Sequence, residues 1–115
     1  MKVAPLLAAV TVNGTGSVFE SYVENCSSLS AMEVVFTSWP TGDSTTYKWV
    51  SGVGSTGIFI KPSGLTISRG TNRIPSNWTV LNRHSNGTLW YVNENNQETG
   101  TQYTGEDPYA WHYNQ

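Results

Sequence analysis

The sequence predicts an all-β chain: a single small antiparallel β-sandwich or barrel of about seven or eight strands with extended terminal arms. Three observations predict it. β-Branched and aromatic residues are abundant, with 14 Thr, 5 Trp and 6 Tyr, and such side chains suit pleated, half-buried surfaces. Eleven Gly, with Asn, Ser and Pro, punctuate the chain at short intervals, as in domains built from many short strands. No amphipathic pattern of helical period persists for ten residues; 27–35 comes nearest, with room for one short helical turn.

The elements follow in order. Residues 6–12 are apolar and stop at Asn13 and Gly14, a turn pair. Residues 18–23 alternate, as do 31–39, where Met32, Val34 and Phe36 share one face. Pro40, Gly42 and Asp43 then form a turn, because Pro presets φ and Gly admits positive φ. Residues 45–53 alternate again, so 34–39 and 47–53 read as a hairpin. Short strands are expected at 57–60 and 65–67. Residues 78–81 and 89–92 flank a loop ending in Asn86 and Gly87, a second hairpin signal. No convincing internal repeat appears.

A chain of 115 residues fits one domain. It divides into an N-terminal strand or arm (1–12), a β-sandwich body (13–93) and an acidic aromatic C-terminal arm (94–115). That last segment holds Glu94, Glu98, Glu106 and Asp107, no Lys or Arg, and Ala110 as its single aliphatic residue. It cannot build a core alone, yet Tyr109, Trp111 and Tyr113 cluster near its end. The acid-free block 44–93 carries Lys48, Lys61, Arg69, Arg73 and Arg83. Opposite charge makes that block a docking surface for the acidic segment, within one subunit or between subunits. Tyr109, Trp111, Tyr113, Glu106 and Asp107 are therefore expected to bind partners, with Arg69, Arg73 and Arg83 on the receiving side. Trp39, beside Pro40, is expected to be an exposed aromatic.

Composition narrows the function. Charged residues make up only 12%, half the usual share, while Ser, Thr and Asn fill the surface. One cysteine, Cys26, excludes an intrachain disulfide. The apolar start, broken by Pro5, reads as a strand or arm in preference to a signal peptide. No stretch reaches membrane-spanning length. His84 and His112 are isolated, and no nucleophile elbow, zinc spacing, calcium loop or phosphate-binding glycine loop occurs. No catalytic, cofactor-binding or metal residues are expected. A sequence pI near 5.5 is well below that of a dedicated nucleic-acid binder.

The run through Trp49 and Val50, then Ile58 to Ile60, Leu65, Thr66, Ile67, Arg69 and Gly70, then Pro75 and Trp78 to Arg83, resembles small phage head-decoration (cement) proteins over residues 17–93. The resemblance is one of rhythm. It implies a β-rich, non-enzymatic virion structural protein made in the host cytoplasm. Its partners would be the major capsid protein or other virion subunits, and it would be a homo-oligomer, with a trimer favoured, acting through its terminal arms. Two alternatives stand beside it: a carbohydrate-binding module or tail-fibre lectin using Trp39 or Trp111, and a phage tail or neck connector component.

Overall fold

The computed structural model describes residues 3, 4, 6, 22–35, 47–66, 70 and 73–113, with side chains to Trp111. The chain is all-β. Among the described residues, five strands, β1 (Ala31–Glu33), β2 (Ile58–Pro62), β3 (Thr79–Arg83), β4 (Leu89–Val92) and β5 (Glu98–Tyr103), form one sheet in that spatial order. A four-residue helical turn, α1 (Ala110–Tyr113), follows.

The sheet is mixed and open, where an antiparallel sandwich or barrel was expected. β1, β2 and β3 run parallel, and only β3–β4 and β4–β5 are antiparallel. Alternation reveals that a strand has two faces, but not the direction of its neighbour. Parallel neighbours need a connection of about a dozen residues or more, and 34–57 and 63–78 supply it. The anticipated strand at 45–53 is not one: residues 47–52 turn, with Lys48 at φ 55° and Gly52 at φ 76°. The hairpin drawn from it is therefore absent, and β1 pairs with β2 instead. Leu65 and Thr66 are not in a strand. Residues 7–12, 18–21 and 36–46 lie outside the described residues.

The parallel half is built from stacked turn–strand units, although no repeat is visible in the sequence. Ala31, Ile58 and Thr79 stand side by side, and Val3 bridges to Ala31 on the outer side. The turns before the strands stack too: Val23 N donates to Trp49 O at 3.0 Å and Asn25 N to Ser51 O at 2.6 Å. Two tryptophans tie the second and third units to each other. Trp49 Nε1 donates to Arg73 O at 2.7 Å, and Trp78 Nε1 to Gly54 O at 2.8 Å. Repeats of this kind gain stability from neighbour contacts, which constrain shape more than identity.

Close stacking explains two glycines. A Cβ on Gly57 would lie 2.6 Å from the Trp78 ring and 2.8 Å from Ser30 O, and one on Gly54 would lie 2.6 Å from Leu29 O. Gly57→Ala is expected to lower stability by about 1–3 kcal/mol, the usual overpacking cost. Gly64→Ala, where nothing lies within 4 Å, is expected to change it by less than about 0.5 kcal/mol. Urea denaturation of the two variants checks this. Equal effects would contradict the stacked packing.

Both faces of the sheet are covered. One carries Met32, Val34, Phe59 and Val80 against Leu29, Trp49, Ile74 and Trp78. The other carries Ala31, Ile60, Leu81 and Leu89 against Tyr109. Burial on both faces is characteristic of parallel strands. The β3–β4 hairpin forms as the sequence predicts, with Gly87 at φ 89°.

Residues 94–115 were expected to form a coreless arm. Instead, β5 pairs with β4 through a turn containing Asn96 at φ 62°. Further along, Tyr109 is fully buried in the chain's own core. The polar strand Glu98–Tyr103 is almost wholly exposed. It is held by backbone pairing, which leaves no hydrophobic period to read.

Candidate functional site

Two polar clusters lie on opposite faces of the sheet, because successive residues of β3 point opposite ways. Arg83 belongs to one and Asn82 to the other.

On the Tyr109 face, Arg83 joins β1 to the C-terminal segment. Its Nε and Nη2 donate to the Glu33 carboxylate at 2.9 and 2.8 Å. Its Nη1 and Nη2 donate to Asp107 at 2.7 and 3.0 Å, and Nη1 also donates to Gly87 O at 3.0 Å. All five guanidinium N–H groups are thus engaged. Burial alone would lower the Arg83 pKa, but hydrogen bonds to Glu33 and Asp107 outweigh it and hold the pKa above its ordinary value. Burial would raise the Asp107 pKa, but Arg83 and the Tyr109 N–H hold it below. Tyr109 N also donates to Asp107 Oδ1 at 2.9 Å, which shapes the turn into α1. Burial raises the Tyr109 hydroxyl pKa, and that hydroxyl donates to Ala4 O.

On the other face, Lys61 of β2 stands directly opposite Asn82 of β3. Both are buried, at 0% and 1% exposure. Lys61 Nζ donates to Asn82 Oδ1 at 2.6 Å and to Leu65 O. Asn82 Nδ2 donates to Glu98 Oε2 at 2.9 Å, and His84 Nε2 lies 2.8 Å from the same oxygen. His84 stacks on Trp90, with ring centres 5.4 Å apart. Burial pushes the Lys61 amine down to about 8, against a smaller raising effect of the Glu98 charge. The hydrogen bonds from Asn82 and then His84 hold Glu98 below its usual range. A buried amine of depressed pKa aimed at an amide, with a carboxylate behind it, is the most chemically loaded arrangement among the described residues.

The two depressed carboxylates set a pH dependence. Each has a folded pKa below its unfolded value, so the unfolded chain binds more protons as pH falls, and stability drops with it. The stability is present above the ordinary values of 4.5 for Glu98 and 3.8 for Asp107 and is lost below them. Asp107→Asn is expected to cost about 1–3 kcal/mol near pH 7 and to flatten the acid slope. Urea midpoints at about pH 6 and about pH 3 check it, and an unchanged slope would contradict the pairing.

The residues expected to bind partners are scattered by the fold. Tyr109, Arg83 and Asp107 make these contacts within one chain. The Arg73 carbonyl accepts the Trp49 indole. Glu106 is exposed, and its carbonyl accepts Tyr103 Oη at 3.0 Å. Trp111 is 56% exposed, with its ring 6.0 Å from that of Tyr109. Trp39, Arg69 and the side chain of Tyr113 lie outside the described residues. Beside the C-terminal segment, Tyr103, Glu106 and Pro108 face Val3 and Ile58 across a cleft of about 520 Å³. Sequence reasoning missed Glu33, Asn82, Glu98 and the burial of Lys61. The available signal was alternation, which places Lys61 beside Phe59, and Asn82 beside Val80, on one apolar face.

Among the described residues no group of three His, Cys, Asp or Glu is placed to hold a metal ion. No helix among them is long and apolar enough to cross a membrane. Comparisons with protein-family models, with curated proteins and with solved structures found no match.

Proposed function

We propose that this chain is a non-enzymatic virion structural protein, a phage capsid-decoration protein that stabilises the shell through contacts between subunits. Its partners are the major capsid protein or further copies of itself, in a trimer. The observation that carries the reading is Trp111. The Arg83–Asp107 pairing and the buried Tyr109 hold the C-terminal segment against the body. The next aromatic, Trp111, is left 56% exposed. An aromatic displayed from a rigid mount suits an interface anchor, because little side-chain or backbone order remains to be lost on binding. The Ser-, Thr- and Asn-rich surface suits a wet, polar contact.

Trp111→Ala is the test. The variant is expected to keep its thermal midpoint and to lose binding to virus shells by about thirtyfold or more, the effect of a hot spot worth 2 kcal/mol. Co-sedimentation with shells and analytical ultracentrifugation would measure it. Unchanged binding and association would sink the reading. A carbohydrate-binding module is the second reading, resting on the same exposed ring. Glycan binding that Trp111→Ala abolishes, without any binding to shells, would favour it.

A further inference from the structure

The cluster at Lys61 has a consequence that does not depend on the virion reading. We propose that Lys61 and Asn82 become joined by an intramolecular isopeptide bond that this chain forms on itself, with Glu98 as the proton carrier.

The geometry supplies the reacting pair and a carboxylate on the leaving nitrogen. Lys61 and Asn82 face each other in the β2–β3 register, so the backbone holds them in place. The amine nitrogen lies 2.6 Å from Asn82 Oδ1, one bond short of the carbonyl carbon. Such fixed placement is worth effective concentrations of about 10⁵ M or more in well-oriented intramolecular reactions. The leaving nitrogen, Nδ2, already donates to the Glu98 carboxylate at 2.9 Å. His84, stacked on Trp90, lies 2.8 Å from the same carboxylate oxygen. Burial of both reacting side chains excludes the water that would hydrolyse the amide instead. The amine, pushed down to about 8, is neutral in roughly a tenth of molecules near pH 7, against well under a thousandth for an ordinary lysine.

The step balances without an external reagent. The neutral Lys61 Nζ forms a bond to Asn82 Cγ, and the carbonyl π pair moves to Oδ1. The Glu98 carboxylate takes one proton from Nζ and delivers it to Nδ2. The Cγ–Nδ2 bond breaks with its electron pair on nitrogen, the carbonyl re-forms, and ammonia leaves. One amine and one primary amide become one secondary amide and ammonia. Glu98 is regenerated, and nothing is oxidised or reduced.

The intact mass of the purified full chain tests this directly. It is expected to fall below the sequence mass by one ammonia, about 17 Da, as displacement by the amine requires. After trypsin, residues 49–69 and 74–83 are expected as one branched peptide. The full sequence mass, with two linear peptides, would overturn the proposal. So would an ammonia loss located at Asn13 or Asn86, each followed by Gly, as a succinimide cleaved by hydroxylamine. Lys61→Met is expected to carry its full sequence mass, and a remaining deficit would also overturn it. Glu98→Gln, folded by circular dichroism, is expected to remain uncross-linked. A branched peptide in that variant would remove Glu98 from the step.

Discussion

Replacing Arg83 with alanine is expected to destabilise the fold by about 3–5 kcal/mol, the usual cost of breaking a buried ion pair by removing one member. Glu33 is 1% exposed, and Arg83 binds both of its carboxylate oxygens. Removing the guanidinium takes both of those bonds from the buried carboxylate and frees Asp107 from β3. A loss of this size is a large part of the 5–15 kcal/mol that a domain typically has. The double variant Arg83→Met with Glu33→Gln is expected to recover at least half of the loss, because both buried charges of the pair are gone. Urea unfolding of the wild type, the single variant and the double variant measures all three. A single-variant loss under about 1 kcal/mol would place the pair in solvent in practice, since exposed ion pairs contribute no more than that.

Tyr109→Ala is expected to cost a similar amount, about 3–5 kcal/mol for deleting a buried aromatic, and to release the segment that carries Trp111. Tyr109 is fully buried against Ala31, Ile60, Leu81 and Leu89. Tyr109→Phe keeps the ring and removes the hydroxyl that donates to Ala4 O. Its expected cost is about 1–3 kcal/mol, from a buried carbonyl left unsatisfied. Hydrogen exchange at residues 107–111 separates the two variants. Protection there is expected to vanish in Tyr109→Ala and to persist in Tyr109→Phe. Persistence in both would mean that the Arg83–Asp107 bonds hold the segment alone. Because β5 and Tyr109 belong to the body, truncation at residue 94 removes both along with Trp111, so point substitution at Trp111 is the cleaner probe of partner binding.

The β3–β4 hairpin was legible because its signal is local: two short apolar runs flank an Asn–Gly pair, and turn chemistry acts over a few residues. The all-β class was legible for the same reason, since strand propensity and turn residues are local properties. β5 was not legible, because Glu98, Thr99, Gly100, Thr101 and Gln102 have no apolar period and hold their place through the ladder to β4. Nor were the parallel pairs, where Ile58 meets Thr79 after a long connection. The candidate sites fared likewise. Glu33 and Arg83 are 50 residues apart, and Lys61 meets Asn82 across 21. No spacing rule relates such positions.

Charge blocks told part of the story. An acidic C-terminal segment and a basic middle suggested docking between them, and the Arg83–Asp107 pair makes that contact within one chain. By itself the sequence determined the local elements: which stretches prefer strand, where turns fall, and that the C-terminal segment needs something to lie on. The tertiary structure alone decided that three strands stack in parallel, that Lys61 and Asn82 are buried face to face, and that Tyr109 enters the core while Trp111 does not. The physical reason is that propensity and turn chemistry act between neighbours in the chain, whereas burial and desolvation depend on which distant segments close over a residue.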